Sequence, residues 1–236
     1  VSAALAMTTA GAVLFGGVGA SDTYGDTWLF NGSTWNEKTG TSPSARGNAS
    51  FVGLGGTAVL FGGQGYSDTW EWTGTGWASV AATGPSGRAF AASTPFEGSM
   101  FLFGGQASGS PVADTWTFGS AWSEVSAVGP SSRYFATVAA LNGTVVLFGG
   151  RNGTSAWLND TWIWNGSSWS KSTASGPPAR LGASMVTVGG AVLMFGGQDS
   201  DETPLGDTWE WNGASWTLLN VSGPSARWLA AMTSPL

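Results

Sequence analysis

The 236 residues contain no cysteine and no histidine. Disulfides, thiolate or imidazole metal ligands, and every catalytic triad that uses histidine as base are therefore excluded. Charge is scarce as well, at 9% of residues, with 8 basic against 14 acidic side chains and a net charge of −6. A chain of that balance does not bind nucleic acid by neutralising phosphates. Apolar runs are short, the longest being pieces such as Thr144–Phe148 with its two following glycines, far from the roughly 20 residues of a membrane-spanning helix. An initial Met and a basic segment leading into an apolar one are also missing, so the sequence reads as a processed product or a fragment.

Glycine (38) and tryptophan (15) are abundant instead, a bias toward short strands joined by tight turns. Phe-Gly-Gly begins at Phe15, Phe61, Phe103, Phe148 and Phe195, and Asp-Thr-Trp follows each copy at Asp26, Asp68, Asp114, Asp160 and Asp207. A second Trp comes six or seven residues after the first, at Trp35, Trp77, Trp122, Trp169 and Trp216. Pro-x-x-Arg then closes the unit at Arg46, Arg88, Arg133, Arg180 and Arg227, so the period is 42 to 47 residues. That period belongs to propeller blades. Each unit divides into an apolar strand a after the Arg, with Ala third (Ala49, Ala91, Ala136, Ala183, Ala230). Strand b ends in Gly-Gly, strand c carries the Asp-Thr-Trp, and strand d follows a turn and carries the second Trp.

The Gly-Gly pair, the aromatic strand, the later Trp and the closing Arg resemble the kelch repeat family, in the manner of bacterial or archaeal galactose-oxidase-like propellers. The resemblance implies an all-β, kelch-type propeller of four-stranded antiparallel blades and does not imply oxidase chemistry, since the copper ligands of that enzyme include His. The expected single domain has blades at 1–42, 43–84, 85–129, 130–176 and 177–223, with 224–236 a surplus innermost strand. Six a-type strands for five b, c and d sets leave three arrangements: a five-bladed ring with a displaced strand, part of a longer propeller, or exchange of the strand with another copy.

The repeated residues Asp26, Trp28, Arg46, Asp68, Trp70, Arg88, Asp114, Trp116, Arg133, Asp160, Trp162, Arg180, Asp207, Trp209 and Arg227 read as architecture. Arg is expected to bond carbonyls or a carboxylate and stack on Trp, Asp to close the b–c turn through backbone N–H groups, and Trp to pack blade on blade. Function then falls to the b–c inserts, which vary most. They offer Tyr24, Tyr66 and Trp157 as aromatics, Gln64, Gln106 and Gln198 as equivalent amides, and Arg151 as the one Arg outside the repeat. Aromatic faces beside amides suit a protein or glycan ligand, although the same side chains serve equally to pack their own loops.

Asp199, Asp201 and Glu202 gather oxygens in sequence but lack the spacing of a calcium loop, so no cofactor is expected. Asp22, Glu37, Glu97 and Glu124 are the carboxylates open to glycoside hydrolysis, and no feature brings two of them together. The expectation is a binding module rather than an enzyme, with self-association through the surplus strand as a second reading. Seven Asn-x-Ser/Thr sequons, at Asn31, Asn48, Asn142, Asn152, Asn159, Asn165 and Asn220, point to an extracellular or cell-surface protein, though Asn-Gly-Ser is also good turn chemistry.

Overall fold

A computed structural model describes residues 2–232. The chain divides into two compact units, one of 1–102 with 106–109 and 116–124, the other of 103–105, 110–115 and 125–236. Among the described residues every regular element is a strand. Five four-stranded antiparallel sheets follow one another in chain order, each with its strands in sequence order. The first holds Ala4–Thr8, Gly11–Val18, Thr23–Phe30 and Trp35–Glu37. The second holds Ser50–Leu54, Thr57–Phe61, Thr69–Trp72 and Trp77–Val80. The third is made of Ala92–Phe96, Ser99–Phe103, Thr115–Phe118 and Trp122–Val125. Thr137–Leu141, Thr144–Phe148, Thr161–Trp164 and Trp169–Lys171 form the fourth, and Ser184–Val188, Ala191–Phe195, Thr208–Trp211 and Trp216–Leu219 the fifth. These sheets are the expected blades a to d.

Alternation decides what each face carries. In the second blade Leu60, Trp70, Trp72 and Trp77 pack against Val13, Phe15 and Leu29 of the first. The residues of the opposite pleat, Val52, Val59 and Phe61, pack against Met100, Leu102, Phe118 and Trp122 of the third. The same division recurs between the fourth and fifth blades, where Val146 and Phe148 meet Val192, Met194, Trp211 and Trp216. Each inner blade is thus apolar on both faces, as a stacked sheet must be.

One indole organises every such contact. Trp77 donates its N–H to Thr27 Oγ1 of the preceding blade at 2.8 Å; Trp122 does so to Thr69 at 2.8 Å, Trp169 to Thr115 at 2.9 Å and Trp216 to Thr161 at 2.9 Å. The ring also meets the Phe of the preceding Phe-Gly-Gly edge-on, as Phe15–Trp77 at 5.4 Å and Phe61–Trp122 at 4.8 Å, the arrangement the ring quadrupole favours. A glycine before the Pro-x-x-Arg gives it room. A Cβ on Gly84, Gly129 or Gly176 would stand 2.3, 2.5 or 2.7 Å from Cδ1 of Trp122, Trp169 or Trp216.

One expectation needs correction. Strand a starts at the fourth residue after the Arg, because the second residue, at Asn48, Phe90, Phe135, Gly182 and Leu229, has positive φ and breaks the strand. The preceding Ala is there for contact: the second glycine of the blade leaves only 3.0 Å between its would-be Cβ and that of Ala49, and 3.2 Å at Gly197 and Ala183. Of the expected surplus strand at 224–236, the described residues 224–232 are not in a strand, and the fourth position after Arg227, where a strand a would start, is 231. Residues 233–236 lie outside the described residues.

Gly129→Ala is expected to lower stability by about 1–3 kcal/mol, the usual effect of overpacking, because the Trp169 ring has to leave its seat. Urea unfolding followed by tryptophan fluorescence reads this directly.

Candidate functional site

The b–c loops are held at both ends from outside their own blade. Arg133 donates from Nη1 to Gly149 O at 3.0 Å, where the fourth blade's insert begins, and to Asp160 Oδ1 at 2.6 Å, where it ends. Its Nη2 reaches Asp160 Oδ2 at 3.0 Å. Arg180 spans the fifth insert the same way, with Gly196 O at 2.9 Å and the two Asp207 oxygens at 2.6 and 2.8 Å. Arg46 does so for the second, bonding Gly62 O at 3.1 Å and both oxygens of Asp68. The planar fork fits a carboxylate in two-point contact.

Local sequence aims the fork. In Pro-x-x-Arg the Nε–H donates to the carbonyl two residues back, on Ser44, Ser86, Ser131, Pro178 and Ser225, at 2.9 to 3.1 Å. The backbone on either side of each Arg then ties the loop of its own blade. Gly150 N–H bonds Arg180 O, and Arg180 N–H bonds Leu158 O. The d–a turn and the b–c insert therefore share one edge of the blade.

At Asp68, Asp160 and Asp207 the carboxylates face side chains, where closure of the turn through backbone N–H groups was expected. They accept from the Arg and from the indole two residues on, Asp68 from Trp70 at 2.7 Å, Asp160 from Trp162 at 2.8 Å and Asp207 from Trp209 at 2.6 Å. The turn is closed by the Asp carbonyl, which accepts from Gly62, Gly149 and Gly196. The Arg–Trp stacking expected from composition is replaced, at Arg46, by a guanidinium 3.9 Å from the centre of the Tyr66 ring.

Burial acts to raise the pKa of Asp160, but the hydrogen bond and charge of Arg133 and the Trp162 N–H outweigh it and hold the carboxyl below its ordinary 3.8. Asp68 and Asp207 are lowered through the same balance by Arg46 with Trp70 and by Arg180 with Trp209. The ionised form is thus preferred in the folded state. Its contribution is complete above the unfolded value and is lost as pH falls through the folded one.

The side chains proposed for recognition stand at or between the facing ends of strands b and c of their own blades, and several are engaged there. Gln106 donates to Gly109 O at 3.3 Å and Gln198 to Glu202 O at 3.1 Å, each inside its own loop. Gln64 is exposed at φ 47°. Arg151 stacks 4.3 Å over the Trp157 ring, while its Nε and the Trp157 N–H are buried without an acceptor. Tyr66 is 39% exposed with one face under Arg46, and Tyr24, at 50%, is the most open aromatic of the set. Asp199 Oδ1 accepts the N–H groups of Asp201 and Thr203, which makes the acidic stretch a turn. Among the described residues no three His, Cys, Asp or Glu side chains gather as a metal site.

Sequence reasoning missed the positive-φ position two residues after each Arg. Asn48 N–H bonds Ser2 O, Phe90 bonds Asn48, Gly182 bonds Phe135 and Leu229 bonds Gly182, so backbone bonds run from one blade entry to the next. In the second unit this puts Phe135 beside Trp228, centroids 6.0 Å apart, with Trp228 and Leu229 40% and 44% exposed. The signal was present: the five residues are Asn, Phe, Phe, Gly and Leu, and two of them are the types that take a left-handed conformation most easily.

The Kelch motif matches residues 132–173, the stretch from Arg133 through the second Trp of the fourth blade. The fourth blade thus carries a kelch motif. Its repeated four-stranded sheets are consistent with a kelch-type β-propeller. A search of curated proteins finds no match. Among the described residues no helix is long and apolar enough to cross a membrane.

Arg133→Ala leaves Asp160 and the Gly149 carbonyl without their donor and is expected to cost about 3 kcal/mol or more, as breaking a buried pair does. Acid titration provides a second check. Urea midpoints of the wild type should hold above the ordinary carboxyl value and fall progressively below pH 3.8, and Asp160→Asn should be less stable at neutral pH with a shallower acid fall.

Proposed function

We propose that this kelch-repeat chain is a non-catalytic binding module whose ligand, a protein surface or a glycan, is met by the b–c loops. The observation that carries the reading is the Arg clamp: Arg46, Arg133 and Arg180 fix the two ends of an insert while its length and composition vary from blade to blade. Rigid ends with variable tips are how recognition loops are commonly mounted. The kelch motif itself suggests protein binding. Tyr24 and Tyr66 offer exposed aromatic surface, and the Arg151–Trp157 stack offers a cationic plane with two N–H groups still to be satisfied. Such aromatic and Arg residues supply most of the energy at interfaces.

Extracellular placement belongs to the same proposal. It is supported by the low charge and by sequons at Asn31, Asn142, Asn159, Asn165 and Asn220, all on exposed residues. Asn31 and Asn165 use their side-chain oxygens to cap their own turns.

Arrays of glycans and of immobilised extracellular proteins, probed with the wild type, should give saturable binding. Tyr24→Ala, Tyr66→Ala and Trp157→Ala, tested singly, are expected to weaken it about 30-fold or more where the residue is an anchor, following the 2 kcal/mol that defines one. Binding unaffected by all three changes would refute the loop edge as the site.

A further inference from the structure

In the second, third and fifth blades the residue after Gly-Gly is a glutamine, Gln64, Gln106 and Gln198; in the fourth it is Arg151. The place is a fixed one in the fold. Gln198 pairs with Leu181 on one side and Pro204 on the other, and Gln106 pairs with Ala89. Arg151 pairs in the same way with Tyr134 and with Trp157. Residues directly opposite one another in antiparallel strands project from the same face, so Tyr134, Arg151 and Trp157 stand as one row. Where the fifth blade sets an aliphatic side chain, an amide and a proline, the fourth sets a phenol, a guanidinium and an indole.

The backbone holds this row in place. At the tip of the hairpin Asn152 Oδ1 accepts the N–H of Thr154 at 3.0 Å and of Ala156 at 2.9 Å, and Asn152 N–H bonds Ala156 O. At its base Leu158 N–H bonds Gly150 O. The Tyr134 ring lies 5.3 Å from that of Phe135, and the Arg151 guanidinium lies 4.3 Å over the Trp157 ring. A fork already stacked in one position gives up little further freedom when a ligand arrives.

Its charge has no answer within the fold. In Arg46, Arg88, Arg133, Arg180 and Arg227 the Nε–H donates to the carbonyl two residues back. Arg151 Nε is the one buried cationic N–H without an acceptor among the described residues. Its Nη groups form no hydrogen bond or ion pair with those residues either. Gln106 and Gln198 return their amides to their own loops, and Arg151 does not. A half-buried cation left without a counter-charge is costly, and an incoming carboxylate removes that cost.

We infer that the row Tyr134–Arg151–Trp157 seats a carboxylated sugar, the acidic residue of a glycan. This rests on the b–c loops being the binding edge and names the chemistry at one point of it. The planar fork takes a carboxylate in two-point contact, and the rings flanking it give the C–H face of a pyranose a surface to lie against. One acid group is favoured over an acidic run of peptide. Arg133 and Arg180, whose backbones adjoin the same hairpin at Asn152 and Leu158, are committed to Asp160 and Asp207, so a single fork is on offer. The net charge of −6 also disfavours a polyanion.

The test is titration of the 236-residue chain with glucuronate and sialyllactose, and with their neutral counterparts glucuronamide and lactose, followed by calorimetry and by the Arg Nε–H signals in nitrogen NMR. Wild type should prefer each acid to its neutral counterpart by about tenfold or more, with the Arg151 signal moving and those of the repeat Arg unmoved. Arg151→Gln, which restores the residue of the other blades, should abolish the preference and leave the urea midpoint unchanged. Arg151→Lys keeps the charge, loses the fork and should lose most of the preference. Equal binding of acid and neutral sugar overturns the inference, as does a preference that survives Arg151→Gln, or no binding of either acid at millimolar concentration. Preference for a peptide rich in Asp and Glu over both acids overturns it as well, and would make the partner an acidic protein. The loop edge itself is judged separately, by whether Tyr24→Ala and Tyr66→Ala weaken binding on the arrays.

Discussion

The guanidinium of the Pro-x-x-Arg motif is the constraint on which the blades depend. A fully buried cation is costly unless every donor is used, and Arg133 makes five hydrogen bonds, one from Nε and two from each Nη. Nε fixes the turn that carries the side chain, and the two Nη groups fix the next blade. The Arg therefore links three things that have to agree: the d–a turn, the start of the following b–c loop and its end. Removing any one leaves a buried charge or carbonyl unanswered, so the motif is a register mark as much as a bond. The indole–Thr bond acts on the opposite side of the same contact, between strands d and c. Together they restrain both the outer strands and the loop edge of adjacent blades.

That arrangement separates stability from variability. Because the Arg spans the insert at Gly149 and Asp160, or at Gly196 and Asp207, what lies between them has little influence on how the blades stack. The first insert differs from the others in its backbone. Its b and c strands continue as a ladder through Gly17–Tyr24 and Val18–Thr23, past an irregularity at Phe15–Gly17. Tyr24 is consequently carried on a strand, the best-supported position among the aromatic candidates.

Much of this was legible in the chain. Five registered copies of Phe-Gly-Gly, Asp-Thr-Trp and Pro-x-x-Arg specify strands, turns and order, because period and alternation are properties of sequence. The partner of each repeated charge was not legible. Arg133 meets Asp160 of the next blade, 27 residues on, and not Asp114 of its own, a choice made by packing in three dimensions. Asp-Thr-Trp looks like turn chemistry by composition, yet its carboxylate points to an Arg and an indole, since the buried fork of the preceding blade outcompetes backbone N–H groups. Phe90 and Phe135 at positive φ were invisible for a related reason. Local preference opposes that conformation, and only the backbone bonds between successive blade entries make it worthwhile.

The same reasoning explains why the candidate ligand residues divide as they do. Gln106 and Gln198 look alike in sequence and act alike in structure, each returning its amide to its own loop, so equivalence across blades here marks a structural function. Arg151 and Trp157 occur in one blade alone, and their stack leaves Arg151 Nε and the Trp157 N–H buried without acceptors. The indole N–H groups of Trp72 and Trp211, at repeat positions, are likewise buried without acceptors, so what sets the Arg151–Trp157 pair apart is its departure from the repeat. Recognition is therefore better sought where the repeat is broken than where it is kept. Within the loops, that criterion ranks the Arg151–Trp157 pair and the strand-borne Tyr24 above the repeated amides.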